Sequence, residues 1–366
     1  MLIQLNDELI ALGKPIQILR HLHPINAAEE REKFFAALTR DQVYNPRFEY
    51  NPPSFDIRAT REQLDQLKLD SVHARYGLPI KPLLSFANEI EFSLKLVEAC
   101  STESFARWAA ESYGVPTERL LKKATQLLED ESCHPQEETN ISADDLKIRF
   151  EQKLHSYGLT HWIISFRDTA AARISVSPNE QTIWILSSAQ FSPKDVARLL
   201  AHEIDTHVLR AANGALQPYY KVLATGLQNY IETEEGIATL NESLNETLDV
   251  ETLRTYALRT LAVAWSQQAS FYATYLKLTQ YAEPSPAYDL ALRVKRGLGD
   301  TTQPGGFPKD YLYFSGYEKL QEYYTKQNDL SLLYVGKVGL NDLAYIAQLV
   351  TEGLIEPAVY LPPYYR

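Results

Sequence analysis

The chain has 366 residues, 45% of them hydrophobic and 23% charged, with a formal net charge of −11. That length supports a large core and predicts two units, while the acidic balance disfavours non-specific nucleic-acid binding. No run of about 18 apolar residues exists, and acidic residues stand where a signal peptide needs a basic start, so the expectation is a cytoplasmic protein with no membrane span.

Cys100 and Cys133 fit no zinc-finger or redox spacing and read as reduced thiols. The 23 tyrosines suit either a core with hydrogen-bonded hydroxyls or the lining of a pocket.

In chain order, residues 1–130 read as helices. "LDQLKLDSVHARYG", "PLLSFANEIEFSLKLVEACS", "STESFARWAAESYG" and "PTERLLKKATQLLED" repeat apolar residues at three- and four-residue spacing. Between the helices, "NPRFEYNPPSFD" (45–56) is too rich in proline for a helix or central strand and predicts an extended crossing. The polar, acidic stretch "EDESCHPQEETNISADD" (129–145) is the best candidate linker.

After one more amphipathic helix, "LKIRFEQKLHSYG", three short β-branched and aromatic segments follow: "HWIISF" (161–166), "ARISVS" (172–177) and "TIWIL" (182–186). They predict a small antiparallel sheet. A strongly specified helix comes next. Ser192 is a natural N-cap, Pro193 suits the first helical position and Asp195 completes a capping box. Val196, Leu199, Leu200, Ile204 and Val208 form its apolar stripe, and Asn213-Gly214 is read as its end.

Mid-helix stands "HEIDTH", with His202 and His207 five residues apart and Glu203 directly after the first. On a regular α-helix a spacing of five leaves two side chains roughly 140° apart. A π-type turn brings such positions towards one face, and such turns often mark functional sites. Glu203 would then face a metal-activated water as general base. Some thirty residues on, "NYIETEEGIATLNESL" (229–244) predicts a second helix capped by Thr233 and carrying Glu234, Glu235 and Glu242. Gly236 inside it costs about 1 kcal/mol against alanine unless another backbone approaches closely. Two readings stand on these residues alone: a metal site with a third ligand from the acidic helix, or two independently satisfied histidines. Asp205 fits a solvated group, a partner of a histidine, or an alternative ligand.

The residues also resemble the tyrosine carboxypeptidase family, which contains the microtubule-associated tyrosine carboxypeptidases and bacterial relatives with a "QEGLA" motif. The H-E-x-x-x-H hallmark stands here as "HEIDTHVLR", and "QEGLA" as "EEGIA" (234–238), preceded by Asn213, Gly214, Gln217 and Pro218. "RVKRGLGDTTQPGGFPKDYLYFSG" (293–316), "GKVGLNDL", "YLPPYY" and "NPRFEY" also fit, so the resemblance spans most of the chain in order.

The resemblance implies that His202, His207 and Glu235 bind Zn2+ and that Glu203 is catalytic. Glu234 stands where bacterial relatives often have glutamine, and Glu242 takes at best a supporting role. Asp205 departs from the family, whose members commonly have glycine there. The implied reaction removes a C-terminal residue, tyrosine in the eukaryotic enzymes, from a peptide or protein C-terminal tail. Such a reaction needs a cation for the terminal carboxylate, and Arg293, Arg296 and Lys309 are the candidates, with Tyr313 as a donor to the oxyanion.

The expected fold is α+β and mostly helical: a zincin-like metallopeptidase core with a small antiparallel sheet and an active-site helix, plus a helical N-terminal region. The boundary is placed at a helical region 1–140 and a zinc metallopeptidase catalytic domain 141–366. The alternatives are a non-catalytic regulatory or binding protein that retains the fold, and a metal-dependent amidase acting on a small metabolite. No nucleic-acid or membrane partner is expected.

Overall fold

The computed structural model describes residues 2–69, 77–129, 139–168, 172–327 and 329–365. The N-terminal part is helical: α1 (Leu2–Gly13), α2 (Ala27–Leu38), α3 (Ile57–Gln66), α4 (Lys81–Ala99), α5 (Phe105–Tyr113) and α6 (Glu118–Glu129). The helix read at "LDQLKLDSVHARYG" overlaps only the end of α3, and its later residues, 70–76, lie outside the described residues. The proline-rich crossing runs extended between α2 and α3. Buried Glu30 holds it by accepting from the Arg47 N–H at 2.7 Å and the Tyr44 hydroxyl at 2.8 Å.

Of the expected linker, 130–138 lie outside the described residues. Its last part is ordered as strand β1 (Ile141–Ser142) and the start of α7 (Ala143–Ser156), whose capping box joins Ser142 to Asp145.

Strands β2 (Ile163–Arg167), β3 (Ile174–Ser177) and β4 (Thr182–Leu186) form a sheet in the order β2-β4-β3. The sheet is mixed, which corrects the antiparallel expectation: β3 pairs antiparallel with β4, but β2 pairs parallel with it. Strands β3 and β4 pair as neighbours in sequence and β4 takes the centre, so β2, which runs opposite to β3, meets the free edge of β4 in the parallel sense. Strand β5 (Gln190–Phe191) pairs with β1.

The capped helix follows in three segments: α8 (Pro193–Leu199), a π-helix (Leu200–Val208) and α9 (Leu209–Ala215). The capping box of Ser192 and Asp195 is present as the sequence predicts. Asn213-Gly214 does not end the helix, which continues to Ala215. Gly214 is needed because the backbone of Leu223 crosses it, 2.3 Å from where a Cβ would stand.

Beyond lie α10 (Ile231–Leu244), α11 (Val250–Ser266), α12 (Phe271–Leu278), α13 (Pro284–Lys295), α14 (Leu312–Gln327) and α15 (Leu343–Thr351). Helix α10 begins before Thr233, whose Oγ1 instead accepts from the Leu340 N–H at 2.9 Å. Gly236 has the close backbone neighbour its position calls for, but that neighbour is α14 rather than the histidine helix: Gly316 C lies 2.4 Å from where a Cβ would stand. Each hydrophobic core draws residues from both sides of position 140. The largest joins Phe86 and Ile90 of α4 to Ile204 and Ile237, and the second joins Phe34 to α11, α12 and α13. Among the described residues no helix is long and apolar enough to cross a membrane.

Candidate metal centre

The π-helix settles the geometry of the five-residue spacing. The Leu209 N–H reaches the Ile204 carbonyl five residues back, and the Thr206 hydroxyl donates to the Ala201 carbonyl, also five back, at 3.1 Å. His202 and His207 therefore emerge side by side, with ring centroids 5.1 Å apart and planes at 71°. Helix α10 packs across them and brings Glu235 between the rings. Glu235 Oε2 lies 3.8 Å from His202 Nε2 and 3.9 Å from His207 Nε2. One donor atom from each of these three residues lies within 4.8 Å of the others, a group that could hold a metal ion.

The far side of each ring is fixed by a carboxylate. His202 Nδ1 stands 2.6 Å from Glu242 Oε1, and His207 Nδ1 stands 2.8 Å from Glu234 Oε1. Because an ionised carboxylate only accepts, each Nδ1 is the donor, and each Nε2 is the ring atom turned towards the centre. These carboxylates are themselves held. Arg198 Nη1 lies 3.1 Å from Glu242 Oε1, while Arg210 and Lys337 both ion-pair with Glu234. Buried Arg210 is completed by the carbonyls of Leu333 at 2.9 Å and Val338 at 2.6 Å.

The charges follow from these contacts. Burial works against a charged His202 ring, but Glu242 outweighs it and raises that pKa. Burial also opposes ionisation of Glu234 and Glu235. Arg210 and Lys337 nonetheless hold Glu234 far below the usual carboxylate range, and Lys309 with the two histidines lowers Glu235.

Glu235 Oε2 is buried and has no hydrogen-bond partner. This orphaned carboxylate oxygen faces the Nε2 atoms of two imidazole rings. Buried polar atoms are rarely left so. Two nitrogens and a carboxylate oxygen, with room for water, form the donor set of an open zinc site, whose ligands at about 2.1 Å would sit roughly 3.3 Å apart. The residues present fit such an ion.

The centre opens into a cavity of about 360 Å³ lined by Glu203, Tyr230, Arg293, Arg296, Lys309 and Tyr313. The Glu203 carboxylate makes no hydrogen bond or ion pair with any described residue. The Tyr313 ring stacks parallel to His202 at 6.4 Å and to Tyr256 at 5.2 Å, and burial keeps its hydroxyl protonated far above pH 10.

The three cations picked out in the sequence line this cavity, but each is engaged. Arg293 makes a two-point pair with Asp310 at 2.5 and 2.9 Å. Arg296 donates to the Arg293 carbonyl at 2.8 Å, and burial with Arg293 nearby pulls its pKa down to about 10. Lys309 Nζ sits 3.5 Å from Glu235 Oε1. Asp205 points the other way. It accepts from the Tyr157 hydroxyl at 2.7 Å, pairs with Lys153 of α7 at 3.1 Å, and touches neither histidine ring. It is neither solvated, nor a histidine partner, nor a ligand.

Arg198, Arg210 and Lys337 were not singled out by the sequence reading. The first two were accessible to it, since Arg198 precedes His202 by four residues and Arg210 follows His207 by three.

A model of the family described as "Microtubule-associated tyrosine carboxypeptidase" matches residues 32–366. The chain belongs to this family. It is 26% identical over 343 residues to microtubule-associated tyrosine carboxypeptidase 1 of Mus musculus, covering 92% of this chain and 62% of that protein. The namesake of Homo sapiens is 25% identical over 345 residues, covering 92% of this chain and 63% of the relative. The chain thus spans about three fifths of the length of the curated relatives it matches.

Proposed function

We propose that the chain is a zinc-dependent carboxypeptidase that removes the last residue, tyrosine in the first instance, from a peptide or protein tail. The observation that carries this reading is the unpartnered Glu235 Oε2 between two bare imidazole nitrogens, beside a carboxylate free to move protons. The names of the relatives support the reaction class and the choice of tyrosine.

In this reading His202, His207 and Glu235 hold the ion within a zincin-like core in residues 141–366. Zinc so held supplies Lewis acidity towards a carbonyl and towards water. Glu203 takes the proton from the attacking water as the C–O bond forms and the carbonyl oxygen gains charge, then delivers it to the amine nitrogen as the C–N bond breaks and the carbonyl is restored. Tyr313, kept as a phenol by burial, donates to the oxygen on which negative charge develops. Arg293, Arg296 and Lys309 bring cationic groups to the cavity wall, among the acids Glu203, Glu234, Glu235 and Asp310. Residues 1–140 supply part of the wall beyond, where Lys14, Arg20 and Phe86 border a cavity of about 380 Å³ that shares Tyr230 and Lys309 with the first. Lys14, Arg20, Arg167 and Lys309 outnumber Glu89 and Glu180 on that wall, which suits a tail with acidic side chains although the chain as a whole is acidic.

The test is the rate of release of tyrosine from a peptide ending in tyrosine. Glu203→Gln should lower it by about 10²- to 10⁴-fold while zinc stays bound. Unchanged hydrolysis in the variant would contradict the assignment of the base. A zinc-loaded chain inert towards all peptides would favour a binding protein that retains the fold.

A further inference from the structure

The proposed reaction needs a partner for the substrate's terminal carboxylate, and the cations of the 293–309 segment are already engaged. On its other side the metal centre borders a cavity of about 490 Å³ that shares His202, Glu203, Arg293 and Tyr313 with the first. Four arginines line it: Arg173, Arg198, Arg259 and Arg293. Three are committed. Arg173 pairs with Asp195 at 3.3 Å, Arg198 with Glu242 at 3.1 Å, and Arg293 with Asp310. Of the acids on the same walls, Asp195 is shared by Arg173 and Arg198, and Asp249 is taken by Lys194 at 2.6 Å. Glu203 faces the metal centre, and Glu251 is exposed at the start of α11.

Arg259 is the exception. Its Nε is buried without a hydrogen-bond partner, and its side chain makes no hydrogen bond or ion pair within 4 Å among the described residues. Its guanidinium instead lies over two aromatic rings, 5.5 Å from the Tyr256 centroid and 5.3 Å from that of Tyr313. These ring contacts hold the group in place without using its N–H donors, and a guanidinium so left can bind a carboxylate at two points. Because Tyr313 also stacks on His202, Arg259 stands one ring away from a proposed metal ligand. The terminal carboxylate of a bound peptide lies about one residue length, roughly 3.5 Å, beyond the bond to be cut.

We infer that this second cavity receives the substrate's last residue and that Arg259 is the anchor of its terminal carboxylate. The inference rests on the proposed carboxypeptidase reading and names the group that restricts it to chain ends. An internal peptide bond presents no carboxylate there and leaves the Arg259 donors unpaired, so end-specificity arises as an unsatisfied charge in the wrong complex.

Binding tests this without turnover. The probes are N-acetyl-L-tyrosine and N-acetyl-L-tyrosinamide, titrated calorimetrically into zinc-loaded protein carrying Glu203→Gln so that nothing is cleaved. The parent should prefer the acid over the amide, and Arg259→Gln should weaken the acid roughly 10- to 100-fold while leaving the amide and the zinc content unchanged. Arg259→Lys should recover part of the loss, and similar melting temperatures would show that both variants fold. An acid-to-amide preference that survives Arg259→Gln, or is absent from the parent, would overturn the inference. A chain that binds the acid through Arg259 yet cuts no peptide would instead break the proposed reaction and leave the anchor standing.

Discussion

The π-helix presents two faces that differ in how far their polar groups are satisfied. On the face towards the cavity, His202, His207 and Glu203 join Glu235 in a cluster whose inner atoms have no protein partner. On the opposite face every polar group is engaged. Asp205 is held by Tyr157 and Lys153, its carbonyl accepts from the Tyr334 hydroxyl at 2.9 Å, and Thr206 accepts from Asn241 Nδ2 at 2.6 Å. Asn241 also reaches Tyr334 at 2.8 Å and Tyr365. An irregular helix is costly to hold, and the satisfied face holds it so that the unsatisfied face can be offered to a ligand.

Variants on each side should separate these roles. The largest effect is expected at Glu234, which carries both. Glu234→Gln strips buried Arg210 and Lys337 of their counter-charge and should cost about 3–5 kcal/mol in chemical denaturation. Glu242→Gln replaces the charged acceptor that orients His202 with a neutral amide, and should weaken zinc binding by about 10- to 100-fold in competition with a chelator. Asp205→Asn should cost about 1–3 kcal/mol of stability and leave zinc affinity unchanged, since it acts only on the far face. Thr206→Val leaves the Ala201 carbonyl without its hydroxyl donor, and should cost about 1 kcal/mol by the same denaturation measurement. A zinc-affinity loss in Asp205→Asn as large as that in Glu242→Gln would erase the distinction between the faces.

Much of this arrangement is written locally in the sequence. The π-turn follows from the five-residue spacing beside Glu203, and the capped start of the helix from Ser192, Pro193 and Asp195. The use of Gly236 for a close approach was legible, but its partner, Gly316, was not, because the contact joins helices some eighty residues apart. The direction of Asp205 was hidden for a related reason: a π-turn rotates each residue away from its α-helical azimuth, and Lys153 lies on a separate helix. Sheet order escaped because strand patterns reveal which faces are apolar but not which strand takes the centre. Arg259 lies in α11 with no motif around it, and only the absence of a partner in three dimensions distinguishes it.

The central claim is that His202, His207 and Glu235 form a metal centre. Elemental analysis of protein purified without chelators, and again after adding zinc and removing the excess, tests it most directly. The account predicts one zinc per chain, lost in Glu235→Ala. A chain that takes up no zinc in either preparation, or a Glu235→Ala variant that binds it as tightly as the parent, would contradict it.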